Sequence, residues 1–203
     1  MIRPFGESAL LVELESSDRA QALAGALRGD PPAGMVEAVP GLASVLVEVD
    51  PISVDPGVVA TEVERRLGSL RPEAPDAGRL HTIPVEYDGP DLEDVAAITG
   101  LEASEVVARH ASIELRVLFC GFAPGFAYLG DLPPELRVDR LATPRTRTPA
   151  GSVAIAGAMS GIYPADLPGG WRVIGRTHAT LFDPRADPPA LLLPGDRVQF
   201  RPA

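Results

Sequence analysis

The chain of 203 residues carries 18 basic against 28 acidic side chains, a formal net charge of −10, with 45% apolar and 23% charged residues. Such a balance is globular, excludes a disordered chain or a coiled-coil rod, and argues against a general nucleic-acid binder. No apolar run approaches the roughly 18–20 residues that cross a bilayer, and the opening Met1-Ile2-Arg3-Pro4-Phe5-Gly6-Glu7 has no signal-peptide pattern, so neither membrane nor nucleic acid is expected as a partner and the expected location is cytoplasmic.

Residues 8–14 read as a mostly buried strand, and Asp18 opens an alanine-rich helical stretch that stops near Gly29. Residues 35–39 and 43–49, joined by Pro40-Gly41, read as a hairpin. Asp55-Pro56 places an N-cap before a proline at the first helical position, and Val59, Val63, Leu67 and Leu70 share one face of the helix that follows. After a linker from Pro72 to Gly78, residues 81–87 read as a strand, which completes a βαββαβ order of the ferredoxin-like kind. Asp88-Gly89-Pro90 is a turn, Asp91 and Asp94 cap a short helix that Gly100 ends, Ser104 starts another, and residues 113–120 form a strand. Beyond it the pattern changes. Gly and Pro crowd short apolar runs at 152–156, 171–174, 179–182, 191–193 and 198–200, the mark of a β-barrel or sandwich. The expected architecture is α+β: a small α/β domain over residues 1–80, then a β-barrel domain over residues 81–203.

Charge divides along the chain. Residues 1–80 hold 7 Arg against 13 acids, residues 81–120 hold 2 against 8, and residues 121–203 hold 9 against 7. All basic residues are arginine, so lysine chemistry such as a Walker P-loop or a Schiff base is excluded on this chain. One cysteine, Cys120, allows neither an internal disulfide nor a Cys-based metal site, and within an apolar strand it reads as a small hydrophobe. His81, His110 and His178 show no metal-ligand spacing, so no metal is expected. No Gly-x-Ser-x-Gly elbow is present.

Four stretches offer chemistry. Gly121-Phe122-Ala123-Pro124-Gly125-Phe126-Ala127-Tyr128-Leu129-Gly130 is either a tight barrel corner with inward aromatics or a site-forming loop with exposed amides. Thr143-Pro144-Arg145-Thr146-Arg147-Thr148-Pro149 sets two guanidinium forks between prolines without acids nearby in sequence, whereas Arg137 and Arg140 have Glu135 and Asp139 to neutralise them. Ser152, at the start of Ser152-Val153-Ala154-Ile155-Ala156, either caps a turn or bonds a ligand. Pro168-Gly169-Gly170-Trp171, followed by Ile174-Gly175-Arg176-Thr177, adds a further arginine to a tryptophan that reads as core. His110, at a helix end, is either a C-terminal cap or a proton carrier.

Taken with Gly161-Ile162-Tyr163-Pro164, Gly100-Leu101 and Pro194-Gly195-Asp196-Arg197-Val198, these motifs make the chain resemble the family that holds the 5-oxoprolinase component PxpB and the sporulation-kinase inhibitor KipI. Members of that family often carry the label allophanate hydrolase subunit 1 and are of the carboxyltransferase subdomain C and D type. The resemblance runs over essentially the whole chain. It implies a ferredoxin-like α/β domain followed by a cyclophilin-like barrel, and a subunit that hydrolyses ATP to open the lactam 5-oxoproline to glutamate only with PxpC-like and PxpA-like partner subunits. ATP is the implied co-substrate of the assembly, with no metal on this chain. The alternative it carries is a KipI-like inhibitor of a sensor histidine kinase, and cyclophilin-like architecture alone adds a prolyl isomerase. The chain departs from the family pattern at Met159-Ser160 (commonly Gln-Thr), Leu167 (a serine) and His178 (a proline). On this reading His110, Arg145 and Arg147 are the expected catalytic residues, and Gly125, Phe126, Ser152, Tyr163, Gly169, Gly170, Arg176 and Thr177 the expected anion- and substrate-binding ones.

Overall fold

A computed structural model describes residues 1–70 and 78–203; the proposed linker falls almost wholly on residues 71–77, outside the described residues. Contacts divide the chain into two compact units, Met1–Ala77 and Gly78–Ala203. The mixed helix and strand content is the expected α+β class.

The first unit runs β1 (Ile2–Pro4), β2 (Ala9–Glu13), α1 (Ser17–Gly29), β3 (Met35–Pro40), β4 (Ser44–Val49) and α2 (Pro56–Ser69). Helix α2 starts where the sequence puts it: the Asp55 carboxylate accepts from the Gly57 N–H at 2.8 Å and Pro56 supplies a fixed φ. Alternation along β4 buries Val45, Val47 and Val49 against Leu23 and Leu27 of α1 and Val59 and Val63 of α2, each such side chain contributing about 1.5–3 kcal/mol. The sheet order is β1-β2-β4-β3. The strand expected to complete a βαββαβ unit therefore does not lie here; its edge place beside β2 is filled by Ile2–Pro4, a segment too short to stand out as a strand in the sequence.

That strand, β5 (Leu80–Val85), belongs to the second unit, where it pairs in parallel with β13 (Arg197–Pro202). Helices α3 (Leu92–Thr99) and α4 (Ala103–Ser112) follow, then β6 (Glu114–Cys120), β7 (Ala127–Gly130), β8 (Arg145–Thr148), β9 (Ser152–Ala156), β10 (Met159–Ile162), β11 (Leu167–Gly169) and β12 (Arg172–Arg176). Seven strands form one sheet in the order β12-β9-β10-β7-β6-β13-β5, with β8 and β11 paired alongside. A single bridge between Glu86 and Arg176 joins the two edges through backbone bonds of 2.8 and 2.9 Å, which nearly closes the barrel.

Strand β9 explains how one barrel serves two layers. All five of its residues are buried. Val153 and Ile155 face the interior with Ile83, Leu115, Val117 and Ile174. Ala154 and Ala156 face the other side, where their small size admits Phe126, Tyr163 and Trp171. The runs at 179–182 and 191–193 are not strands and meet only through a bridge from Phe182 to Ala190. Leu181 and Leu192 are buried from these loop segments, while Leu191 and Leu193 are exposed.

Candidate functional site

Strand β8 occupies the proline-flanked segment that carries the two guanidinium forks, and it pairs with β11 so that Arg145 stands opposite Gly169. Its first and last residues, the turn into β9, the end of β12 and the Asp88-Gly89-Pro90 turn enclose a groove of about 420 Å³. Arg145, Thr148, Ser152, Arg176 and Thr177 line it together with Asp88 and His178. Two glycines make this closeness possible. A Cβ on Gly89 would lie 2.3 Å from the Ile174 carbonyl carbon, and one on Gly151, at φ 81°, would lie 2.2 Å from the Thr177 oxygen.

The groove's two arginines are held differently. The Arg145 guanidinium donates from Nη2 to Asp91 Oδ1 at 2.6 Å, and the Asp91 side chain is only 4% exposed. Asp91 Oδ2 accepts from the Val173 N–H at 2.6 Å. The sequence reads Asp91 as a helix cap, yet its side chain makes no capping bond to α3 and is spent on Arg145 and β12 instead. Arg176, 55% exposed, donates from Nη2 to Glu86 at 2.6 Å and to Asp88 at 3.0 Å, and His178 stands 3.7 Å from Glu86. Exposed pairs of that kind are weak and exchange partners easily, so Arg145 is the fixed cation and Arg176 the movable one.

The other expected residues lie elsewhere. Arg147, 75% exposed, pairs with Asp166 and is absent from the groove lining. The Ala150 N–H and then the Arg147 guanidinium hold the Asp166 carboxyl below the usual range. Phe126 and Tyr163 are buried in the aromatic layer with Trp171; the ring centroids of Tyr163 and Trp171 lie 5.4 and 5.8 Å from that of Phe126. Gly169 makes room for the Tyr163 hydroxyl, and Gly125, at φ 82°, for Leu181 and Phe182; Gly170 merely touches Pro144. None of these three glycines is among the groove's lining residues.

His110 is fully buried, stacked on Phe200 at 4.6 Å. Its Nδ1 lies 2.8 Å from the Tyr87 hydroxyl and its Nε2 3.0 Å from Ser160 Oγ. Because Ser160 donates to the Ala154 carbonyl at 3.2 Å, it accepts from Nε2–H, and Tyr87 donates to Nδ1. Burial pushes the imidazole down to about 3, so it is neutral and both nitrogens are saturated. Sequence reasoning missed Asp91, Thr148, Asp88 and Glu86. Asp91 was masked by a plausible capping role, and only the lack of local acids around Arg145 hinted at a distant carboxylate.

Residues 1–192 match the family described as carboxyltransferase domain, subdomain C and D. The chain belongs to that family. Among relatives, it is 44% identical to the B component of 5-oxoprolinase from Escherichia coli O157:H7, over 98% of this chain and 94% of that one. It is 37% identical to the corresponding B component of 5-oxoprolinase from Bacillus subtilis strain 168, over 98% and 91%. A crystal structure of TTHA0988 superposes with a TM-score of 0.85 at 39% identity, covering all of this chain and 40% of that one. The carboxyltransferase subdomain C and D unit thus spans well under half of that longer polypeptide.

Proposed function

We propose that this chain is one subunit of an ATP-dependent 5-oxoprolinase, which works with PxpA-like and PxpC-like partner subunits to convert 5-oxo-L-proline to L-glutamate while ATP becomes ADP and phosphate. The observation that carries the reading is the 44% identity to a 5-oxoprolinase B component over nearly the whole of both chains. The Escherichia coli and Bacillus subtilis relatives both bear that name, which favours the enzyme over the kinase-inhibitor alternative.

The chemistry asks for fixed donors. An unstrained lactam resists water, so ATP coupling transfers the γ-phosphoryl group to the amide oxygen and makes the ring carbon electrophilic. Water then adds to that carbon, the ring C–N bond breaks as the nitrogen takes a proton, and a second water releases phosphate from the acyl phosphate. Phosphoryl oxygens and the substrate carboxylate are anions throughout, and preorganised guanidinium groups stabilise such charge without reorganising. Arg145, fixed by Asp91, and Arg176, freed by exchange from Glu86 and Asp88, are the groove's donors, with Ser152 and Thr177 beside them. His110, fully buried with both nitrogens bonded, braces Tyr87 next to Asp88 instead of moving protons.

In the reconstituted three-part complex, Arg145→Ala is expected to lower kcat/KM for 5-oxoproline-dependent ATP hydrolysis by about 10- to 100-fold with assembly intact. Unchanged turnover would remove the groove from the reaction. A mixture equally active without this chain would remove the subunit role.

A further inference from the structure

The four-stranded sheet of the first unit has helices on one side only. Alternation sends Leu10 and Val12 of β2 and Val45, Val47 and Val49 of β4 toward α1 and α2. The residues between them face the other way, and the strand register aligns them in rows. One row crosses all four strands: Arg3 stands opposite Leu11, Leu11 opposite Leu46, and Leu46 opposite Val39. Leu11, Leu46 and Val39 are half-buried by one another and by the sheet, and they join none of the hydrophobic clusters formed by the described residues.

The rows on either side are acidic. Glu48 stands opposite Glu37 across the β4–β3 pair, both exposed. Like charges directly opposite each other on neighbouring strands are destabilising, and neither glutamate has an ion-pair partner among the described residues. On the other side of the apolar row, Glu13 stands opposite Ser44 and pairs with Arg3 at 2.9 Å. An apolar centre inside a charged rim is the layout of a protein interface, and a cation from outside the chain would relieve the repulsion between Glu37 and Glu48.

Charge also decides which occupant fits. An anionic membrane or a nucleic acid is repelled by these glutamates. A second copy meeting this face with its own would double the unneutralised acids. Residues 1–80 hold 13 acids against 7 arginines, so the field around the unit draws in a basic surface.

We propose that the open face of the β1-β2-β4-β3 sheet seats a partner subunit whose docking surface has an apolar centre flanked by arginine or lysine. This docking rests on the subunit role proposed above and adds which face of the chain carries it.

The test is titration of the full chain with purified PxpA-like and PxpC-like subunits, each alone. Wild type is expected to bind one of them, with a Kd that rises as salt is raised from about 0.05 to 0.5 M. Leu46→Arg, which puts a charge at the centre of the row, is expected to weaken that binding at least about 30-fold. Glu37→Gln combined with Glu48→Gln tests the rim without touching the apolar row. It is expected to weaken binding about 5- to 10-fold at low salt, to flatten the salt dependence, and to leave the free chain as stable as wild type or more so. Equal affinity for wild type and both variants, or binding indifferent to salt, overturns the docking face and leaves the subunit role standing. A double variant that is less stable when free also overturns it, because the acids then serve the fold. Self-association of wild type that Leu46→Arg abolishes overturns it in favour of a second copy. Wild type that binds neither subunit overturns the docking and the subunit role together.

Discussion

Two polar clusters sit on the same barrel and have opposite fates. Around His110 the chain Tyr87–His110–Ser160–Ala154 is sealed, and every hydrogen-bonding position on the imidazole is filled from within the protein. Around Arg145 the set is incomplete: Asp91 satisfies one edge of the guanidinium, and Arg176 is tied only to exposed acids. A saturated cluster stiffens a wall, whereas an unsaturated one beside a cavity is equipped to receive something. Residue type alone would have ranked the histidine above the arginines; burial and partner supply reverse that order.

The sealed side can be broken hardest. His110→Asn removes the stack on Phe200 and leaves Tyr87 without its acceptor, and denaturant unfolding at pH 7 is expected to show a loss of about 2–4 kcal/mol. This loss has a pH signature. The folded imidazole titrates near 3 and the unfolded one near 6.5, so between those values the unfolded state binds the extra proton and wild-type stability falls with acidification, by up to ~1.4 kcal/mol per pH unit. The variant lacks that proton site, and its deficit against wild type is expected to shrink as pH falls below about 6.5. A deficit that stays constant from pH 7 to 4 would mean that the imidazole is not held neutral.

Asp91→Asn tests the open side more gently. It keeps the shape but removes the charge that fixes Arg145, and since that guanidinium is 29% exposed the loss is expected near 1–3 kcal/mol by denaturant unfolding. A neutral result would show that Arg145 is held by its strand alone. The smallest effect is expected at Arg147, whose exposed pairing with Asp166 sits away from the groove. Arg147→Ala should leave turnover of the complex within about twofold, and a loss matching that of Arg145→Ala would return the second arginine to the site.

Much of the framework was legible in the sequence because it is written in local signals. Asp55-Pro56 marked the start of a helix, Gly100 its counterpart's end at φ 71°, the Pro40-Gly41 turn set off β4 in a hairpin, and a short apolar run marked β9. The turn-rich second half announced a barrel. What stayed hidden depends on partners far along the chain. The strand at residues 80–85 looks the same whether it finishes the first unit or pairs with β13, and Asp91 looks the same whether it caps α3 or reaches 54 residues on to Arg145. Phe126 and Tyr163 sat in conspicuous motifs for a packing reason, since alanines on β9 leave the space that their rings fill.

The seam of the barrel ties these threads together. Glu86 and Arg176 meet there twice, once through paired main-chain bonds and once through their side chains. The lone bridge is thus a clasp whose outer half can be unfastened while its inner half stays shut. A guest that borrows the guanidinium from Glu86 frees an acidic side chain at the rim without unzipping the cylinder, so arrival of the guest can be advertised on the surface by one liberated carboxylate.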